Sequence, residues 1–187
     1  YFNEMCNNGI FFERCFTPTF GTARGVFATL TGIPDVQLSK FSTRNEESVH
    51  QRTIINDFDG YEKFYFLGGR SQFNNFKGLF ANINGLHVYE EGDYKAANLN
   101  VWGISDKNLF MAANDVMATQ KKPFFAIIQT ADNHRPFDIP EEDKDFERPV
   151  IANEELLKYG FENLKEFHAF AYTDYCFQKF IEAAQKE

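Results

Sequence analysis

The sequence predicts an α/β fold with a largely parallel sheet flanked by helices, and three observations predict it. Stretches with helical and with strand character alternate along the 187 residues, the order produced by strand, crossover and strand units. Phe124, Phe125, Ala126, Ile127 and Ile128 form a continuous apolar run of strand length, which suits the centre of a sheet covered on both faces. Strand-like runs end in polar or Gly-rich loops that lead into apolar residues at helical spacing.

Taken in order, residues 1–8 read as the end of a helix closed by Asn7-Asn8-Gly9, and residues 10–16 as a short aromatic strand. Residues 17–25 then bring a hydroxyl and a guanidinium to the first turn of a helix. Val26, Phe27 and Leu30 follow at helical spacing, Gly32-Ile33-Pro34 stops the run, and Thr22 falls at or near the N-cap. Free N–H groups and the helix dipole favour an anion there, and Arg24 adds a bidentate grip. Taken alone, this segment is better explained by an ordinary threonine cap and a solvated arginine.

Residues 35–59 are polar and read as a loop with one helix over 46–57. Residues 63–67 form a buried strand broken by Gly68-Gly69, and Phe73, Phe76 and Phe80 restart helical spacing, so Arg70 and Ser71 lie in a strand-to-helix loop. Residues 86–89 make another strand, 90–93 a turn, and 105–120 an amphipathic helix with Ser105 as N-cap and Asp106 in its first turn. The apolar strand over 123–130 runs into Thr130-Ala131-Asp132-Asn133-His134-Arg135-Pro136-Phe137. Residues 140–149 are acidic and predicted to face solvent, and from 156 to the end the chain reads as helical with a break near Gly160.

A chain of this length buries a substantial core, here rich in the 23 Phe, and forms one domain or a large piece of one. A net charge of −8 and a pI near 5.1 argue against a nucleic-acid groove, although a local basic pocket still takes an anionic substrate. No apolar run reaches the length of a membrane span. Cys6, Cys15 and Cys176 lack Cys-x-x-Cys spacing, which argues against zinc and redox motifs; three scattered buried thiols are expected, with a Cys6–Cys15 bridge left open.

Three strand-end loops carry chemistry: Thr22 with Arg24, Arg70 with Asn74, and His134 with Arg135. In a parallel sheet such ends share one edge, so a hydroxyl, cations and an imidazole converge on one cleft. That set suits an oxyanion ester. Glycosidase chemistry needs two facing carboxylates, which nothing singles out, and the Gly-x-Ser-x-Gly elbow of serine hydrolases is absent. Packing or loop closure accounts for His134, Arg70 and Trp102 individually, and His50, His87 and His168 carry no assigned role.

The ordered set 21–25 with 30–34, then 66–75, Trp102-Gly103-Ile104-Ser105-Asp106, 130–137 and Tyr172-Thr173-Asp174 resembles the lipoteichoic acid synthase-like branch of the sulfatase and alkaline phosphatase superfamily. The resemblance runs over essentially the whole chain. It implies an alkaline phosphatase/sulfatase-like fold and a metal-dependent transferase. Such an enzyme moves a phosphoglycerol-type headgroup through a covalent phospho-threonine on Thr22, which is also a ligand of a divalent cation, usually manganese.

The resemblance further implies that the other metal ligands are a glutamate on a strand before Tyr1 and an Asp-His pair on a strand after Glu187. On that reading, residues 1–187 are a partial catalytic domain whose metal site is incomplete and which is inactive alone. Arg24, Arg70, Asn74 and His134 are the expected substrate-binding residues. The headgroup loop departs from the family at Leu67, Asn74 and Phe76, where lipoteichoic acid synthases carry His, Trp and Arg. The implied partners are an anionic lipid headgroup or another phosphodiester or sulfate ester, a membrane reached through another part of the parent, and self-association along an exposed sheet edge. The implied location is extracytoplasmic, in the cell envelope. A sulfatase or phosphodiesterase of the same superfamily is the alternative, although Thr22-Ala23-Arg24 lacks the Cys or Ser that matures to formylglycine. A non-catalytic remnant or glycan-binding module is the alternative from another class.

Overall fold

The computed structural model describes residues 1–36 and 39–186. Its centre is a three-stranded parallel sheet in the order β2-β1-β3, with β1 at Glu62–Leu67, β2 at Leu86–Tyr89 and β3 at Phe124–Gln129. Lys63 pairs with Leu86 on one side and Phe125 on the other, and the register continues to Phe66, opposite Tyr89 and Ile128. The central strand is therefore β1. The more apolar β3 has one partner among the described residues and is only partly buried. Hydrophobic content reported the need for cover, and it did not report position in the sheet.

Alternation along the strands divides the core in two. Tyr65 and Leu67 of β1, with Phe125 and Ile127 of β3, pack against Phe27 and Leu30 of α2 (Thr22–Thr31) and Phe76, Leu79 and Phe80 of α4 (Phe76–Phe80). Phe64, Phe66, Ala126 and Ile128 face Leu109 and Ala113 of α5 (Asp106–Ala118). A third layer joins Phe110 to Phe146 and to Tyr172 and Cys176 of α7 (Leu164–Ala184). Full burial of a Phe or Leu side chain contributes about 1.5–3 kcal/mol, so these layers dominate the cohesion of the fold. The remaining helices are short: α1 (Phe2–Cys6), α3 (Glu46–Val49) and α6 (Asn153–Lys158), the last followed by Gly160 at φ 86°.

Several local expectations change. Residues 10–16 form no strand among the described residues, and Ile10, Phe11, Phe12 and Phe16 are exposed, because aromatic composition favours a strand only where a neighbouring strand pairs with it. The 35–59 segment contains α3 and two 3-10 turns, Ser42–Arg44 and Ile54–Asp57, rather than one helix; Gln37 and Leu38 lie outside the described residues, as does Glu187 at the end of the predicted final helix. The acidic 140–149 segment turns two side chains inward: Phe146 joins the third layer, and Asp143 is held by Lys107 and the Tyr172 hydroxyl. All three cysteines are free, but only Cys176 is buried; Cys15 is exposed and Cys6 half-buried.

Candidate active site

The carboxyl ends of β1 and β3 and the start of α2 open into one cleft of about 1260 Å³. Thr22, Arg70, Asn74 and His134 all line it, so four of the five predicted site residues come together. Thr22 is the first residue of α2; the N-cap is Gly21, at φ 90°, a conformation that costs glycine nothing and other residues a good deal. Arg24 sits elsewhere. It is buried on the inward face of α2, with its guanidinium 5.0 Å from the Phe20 ring centroid and 4.4 Å from that of Phe41. A helix turns about 200° in two residues, so Thr22 and Arg24 present opposite faces.

Arg70 leaves β1 through Gly68-Gly69 and donates to Glu91 at 2.8 Å, and the neighbouring Glu90 carboxylate accepts the Ser71 N–H. The predicted anion-binding cation is thus already paired with a carboxylate on the cleft wall. Asn74 and Asn75 both adopt left-handed backbone, at φ 51° and 58°, which asparagine tolerates better than most residues. Their amides tie the loop to the 3-10 turn: Asn75 Nδ2 donates to the Thr43 carbonyl at 2.8 Å, and Arg44 Nη2 donates to Asn74 Oδ1 at 2.6 Å. Arg44 also lines the cleft, and the polar stretch in which it lies has no periodicity that marks it in the sequence.

His134 owes its placement to Trp102. The two rings lie 4.0 Å apart between centroids, and Trp102 Nε1 donates to the Arg135 carbonyl at 2.6 Å while its indole meets Phe73 edge-on. The same carbonyl lies 3.0 Å from His134 Nδ1; since a carbonyl only accepts, Nδ1 carries a proton there. Arg135 itself pairs with Glu162 on the rim.

Trp102 reaches the cleft because three glycines let two loops cross backbone to backbone. A Cβ on Gly69 would stand 2.8 Å from the Trp102 carbonyl oxygen, and one on Gly103, at φ 108°, 1.8 Å from that of Gly68.

Beneath the His134 loop, two buried aspartates exchange backbone hydrogen bonds. Asp132 Oδ2 accepts from the Asp106 N–H at 2.7 Å, and Asp106 Oδ1 accepts from Ala131 and Asp132 at 2.7 and 3.2 Å. Burial raises both carboxyls, and the neighbouring Asp106 charge helps push Asp132 up to about 8. The folded chain therefore holds a proton on Asp132 that the unfolded chain releases near pH 4, so stability falls as pH rises from about 4 to about 8. Asp132→Asn keeps the acceptor and removes the titration. Its melting temperature should exceed that of the unaltered chain at pH 8 and converge with it at pH 4; a pH-independent difference would contradict this account.

Among the described residues, no group of three His, Cys, Asp or Glu side chains is placed to hold a metal ion. Thr22 offers one oxygen, so these residues do not form a divalent-cation site by themselves. No helix among them is long and apolar enough to cross a membrane.

A parallel sheet that gathers a hydroxyl-bearing helix start, an asparagine and a histidine at its carboxyl edge defines an α/β protein with its site at the strand ends, and similarity to known proteins supplies the family. The sulfatase family model matches residues 1–187. The chain belongs to the sulfatase family, in its lipoteichoic acid synthase-like branch. Lipoteichoic acid synthase 1 of Bacillus subtilis is 23% identical over 97% of this chain and 29% of its own length. Lipoteichoic acid synthase of Staphylococcus saprophyticus is 26% identical over 74% and 23%. The chain thus spans about a quarter of the length of these curated relatives.

Among solved structures, the lipoteichoic acid synthase LtaP of Listeria monocytogenes superposes with a TM-score of 0.71 over 88% of this chain and 40% of its own. At 16% identity that likeness concerns the fold alone. An alkaline phosphatase superfamily protein from Vibrio parahaemolyticus gives 0.65 at 26% identity, over 87% of this chain and 38% of its own.

Proposed function

We propose that residues 1–187 are part of the catalytic domain of a transferase that moves an anionic, phosphoglycerol-type headgroup by way of a phosphodiester on Thr22. The observation that carries this reading is the shared cleft: the exposed Thr22 at the start of α2 faces the same space as Asn74, Arg70 and His134. The Thr22 oxygen forms a bond to phosphorus as the bond to the leaving alcohol breaks, and an acceptor hydroxyl then displaces Thr22. The first-turn N–H groups of α2 favour the anionic phosphoryl group, and His134, its Nδ1 proton directed to Arg135, keeps Nε2 for proton exchange or for a headgroup hydroxyl.

A threonine hydroxyl is too weak an acid to attack unaided. The family resemblance assigns its activation to a divalent cation, with Mn2+ the expected ion and its other ligands outside this chain. The same reading locates the domain outside the membrane in the cell envelope, attached through another part of the parent.

The test is to trap the covalent state. The full-length protein, supplied with Mn2+ and vesicles of an anionic glycerophospholipid, is quenched in acid and digested for mass spectrometry. The peptide containing Thr22 should carry a glycerophosphoryl group, and turnover with the adduct on another residue would overturn the assignment.

A further inference from the structure

Arg44 bears on the charge of the ligand, and the inference rests on the reading just given. Two arginines line the cleft, and they stand in different electrostatic positions. Arg70 is committed to Glu91 at 2.8 Å, with Glu90 beside it holding the Ser71 N–H. An anion approaching Arg70 also approaches these carboxylates and must compete with one of them. Arg44 has no carboxylate within ion-pair distance among the described residues. One N–H is used by the neutral Asn74 amide oxygen at 2.6 Å, and a guanidinium has five N–H donors in all.

Its position is also built. The buried Asp35 accepts the Ser42 N–H at 2.9 Å and starts the turn Ser42–Arg44; Asn45 caps the helix that follows; and Asn75 binds the Thr43 carbonyl. The Phe41 ring lies against both Arg44, at 5.4 Å, and Arg24, at 4.4 Å. Arg24 in α2 therefore braces the aromatic ring on which Arg44 rests, next to Gly21 and Thr22. A Cβ on Gly21 would come within 4.0 Å of that ring.

We infer that Arg44, and not Arg70, is the charge partner of the anionic ester in this cleft, with the Arg44–Asn74 pair binding its non-bridging oxygens. The ligand class is a phosphate or sulfate ester. Glu91 holds Arg70 back and sets the amount of negative charge that the far wall of the cleft accepts.

The test is equilibrium binding of inorganic phosphate to the full-length protein by calorimetric titration, a measurement that requires no turnover. Loss of one charge-assisted contact should weaken phosphate binding by about tenfold or more in Arg44→Gln, with Arg44→Lys between that variant and the unaltered protein. Arg70→Gln should cost less than Arg44→Gln, and Glu91→Gln, which releases Arg70, should tighten binding. Thermal melting verifies that each variant is folded, as expected for side chains at the cleft surface.

The assignment is overturned if Arg70→Gln weakens binding more than Arg44→Gln, if Arg44→Gln leaves it unchanged, or if the unaltered protein binds no phosphate. Phosphate binding through Arg44 without turnover of any phosphodiester would sink the transferase reading and leave this assignment standing.

Discussion

Thr22→Ala in the full-length protein should abolish phosphodiester turnover, by about 10³-fold or more, while leaving the fold intact. The expected loss is large because the hydroxyl is asked to form the covalent bond itself, and the other threonine lining the cleft among the described residues, Thr130, lies just past the end of β3 and not at the start of α2. The structural cost is small: Thr22 is exposed at the first helical position, and alanine is the better helix former by a few tenths of a kcal/mol. Steady-state kinetics on a chromogenic phosphodiester, with thermal melting as the control, checks both halves. Near-normal turnover by a folded Thr22→Ala protein would remove Thr22 as nucleophile, and with it the covalent mechanism.

Gly103→Ala should have the largest effect on stability, at about 4 kcal/mol or more. Two penalties coincide there. The backbone sits at φ 108°, where an L side chain is strained, and the added Cβ falls 1.8 Å from the Gly68 carbonyl oxygen, well inside contact distance. The loops cannot separate cheaply, since the Gly68 carbonyl accepts the Ile104 N–H and the Gly69 carbonyl accepts that of Glu91. Gly85→Ala is the comparison: it carries φ 72° with nothing within 4 Å of the new Cβ, so only the backbone term applies, about 1–2 kcal/mol. Denaturant unfolding of both variants separates the two terms. Equal losses would mean that the crossing yields.

Much of this arrangement was legible in the residues. The strand over residues 86–89 matches β2, Ser105 caps α5 and accepts the Asn108 N–H, and Gly32 ends α2 at φ 71°. Those features are local: a cap, a left-handed stop and an apolar run are each set by a few neighbouring residues. Convergence of Thr22, Arg70, Asn74 and His134 followed from the rule that parallel strands open their loops on one edge.

What escaped depends on partners distant in sequence. The aromatic pattern of residues 10–16 cannot state whether a strand lies alongside, and the apolarity of β3 cannot state which strand is central. Arg24 and Arg44 are both arginines near a helix start, and only the Phe41 ring, meeting one from below and holding the other up, separates buried brace from cleft cation. Trp102 had packing as a sufficient explanation, and its grip on the His134 loop appears only once Arg135 lies above it.

Trp102 is the sole tryptophan in the chain. It stands on the cleft wall, against Phe73 on one side and the His134 imidazole on the other. The molecule therefore carries its own optical reporter at the place where chemistry is expected. Within these 187 residues the indole emission arises from a single site, and any ligand that moves the His134 loop, whose ring lies 4.0 Å from the indole, alters it without a label being added.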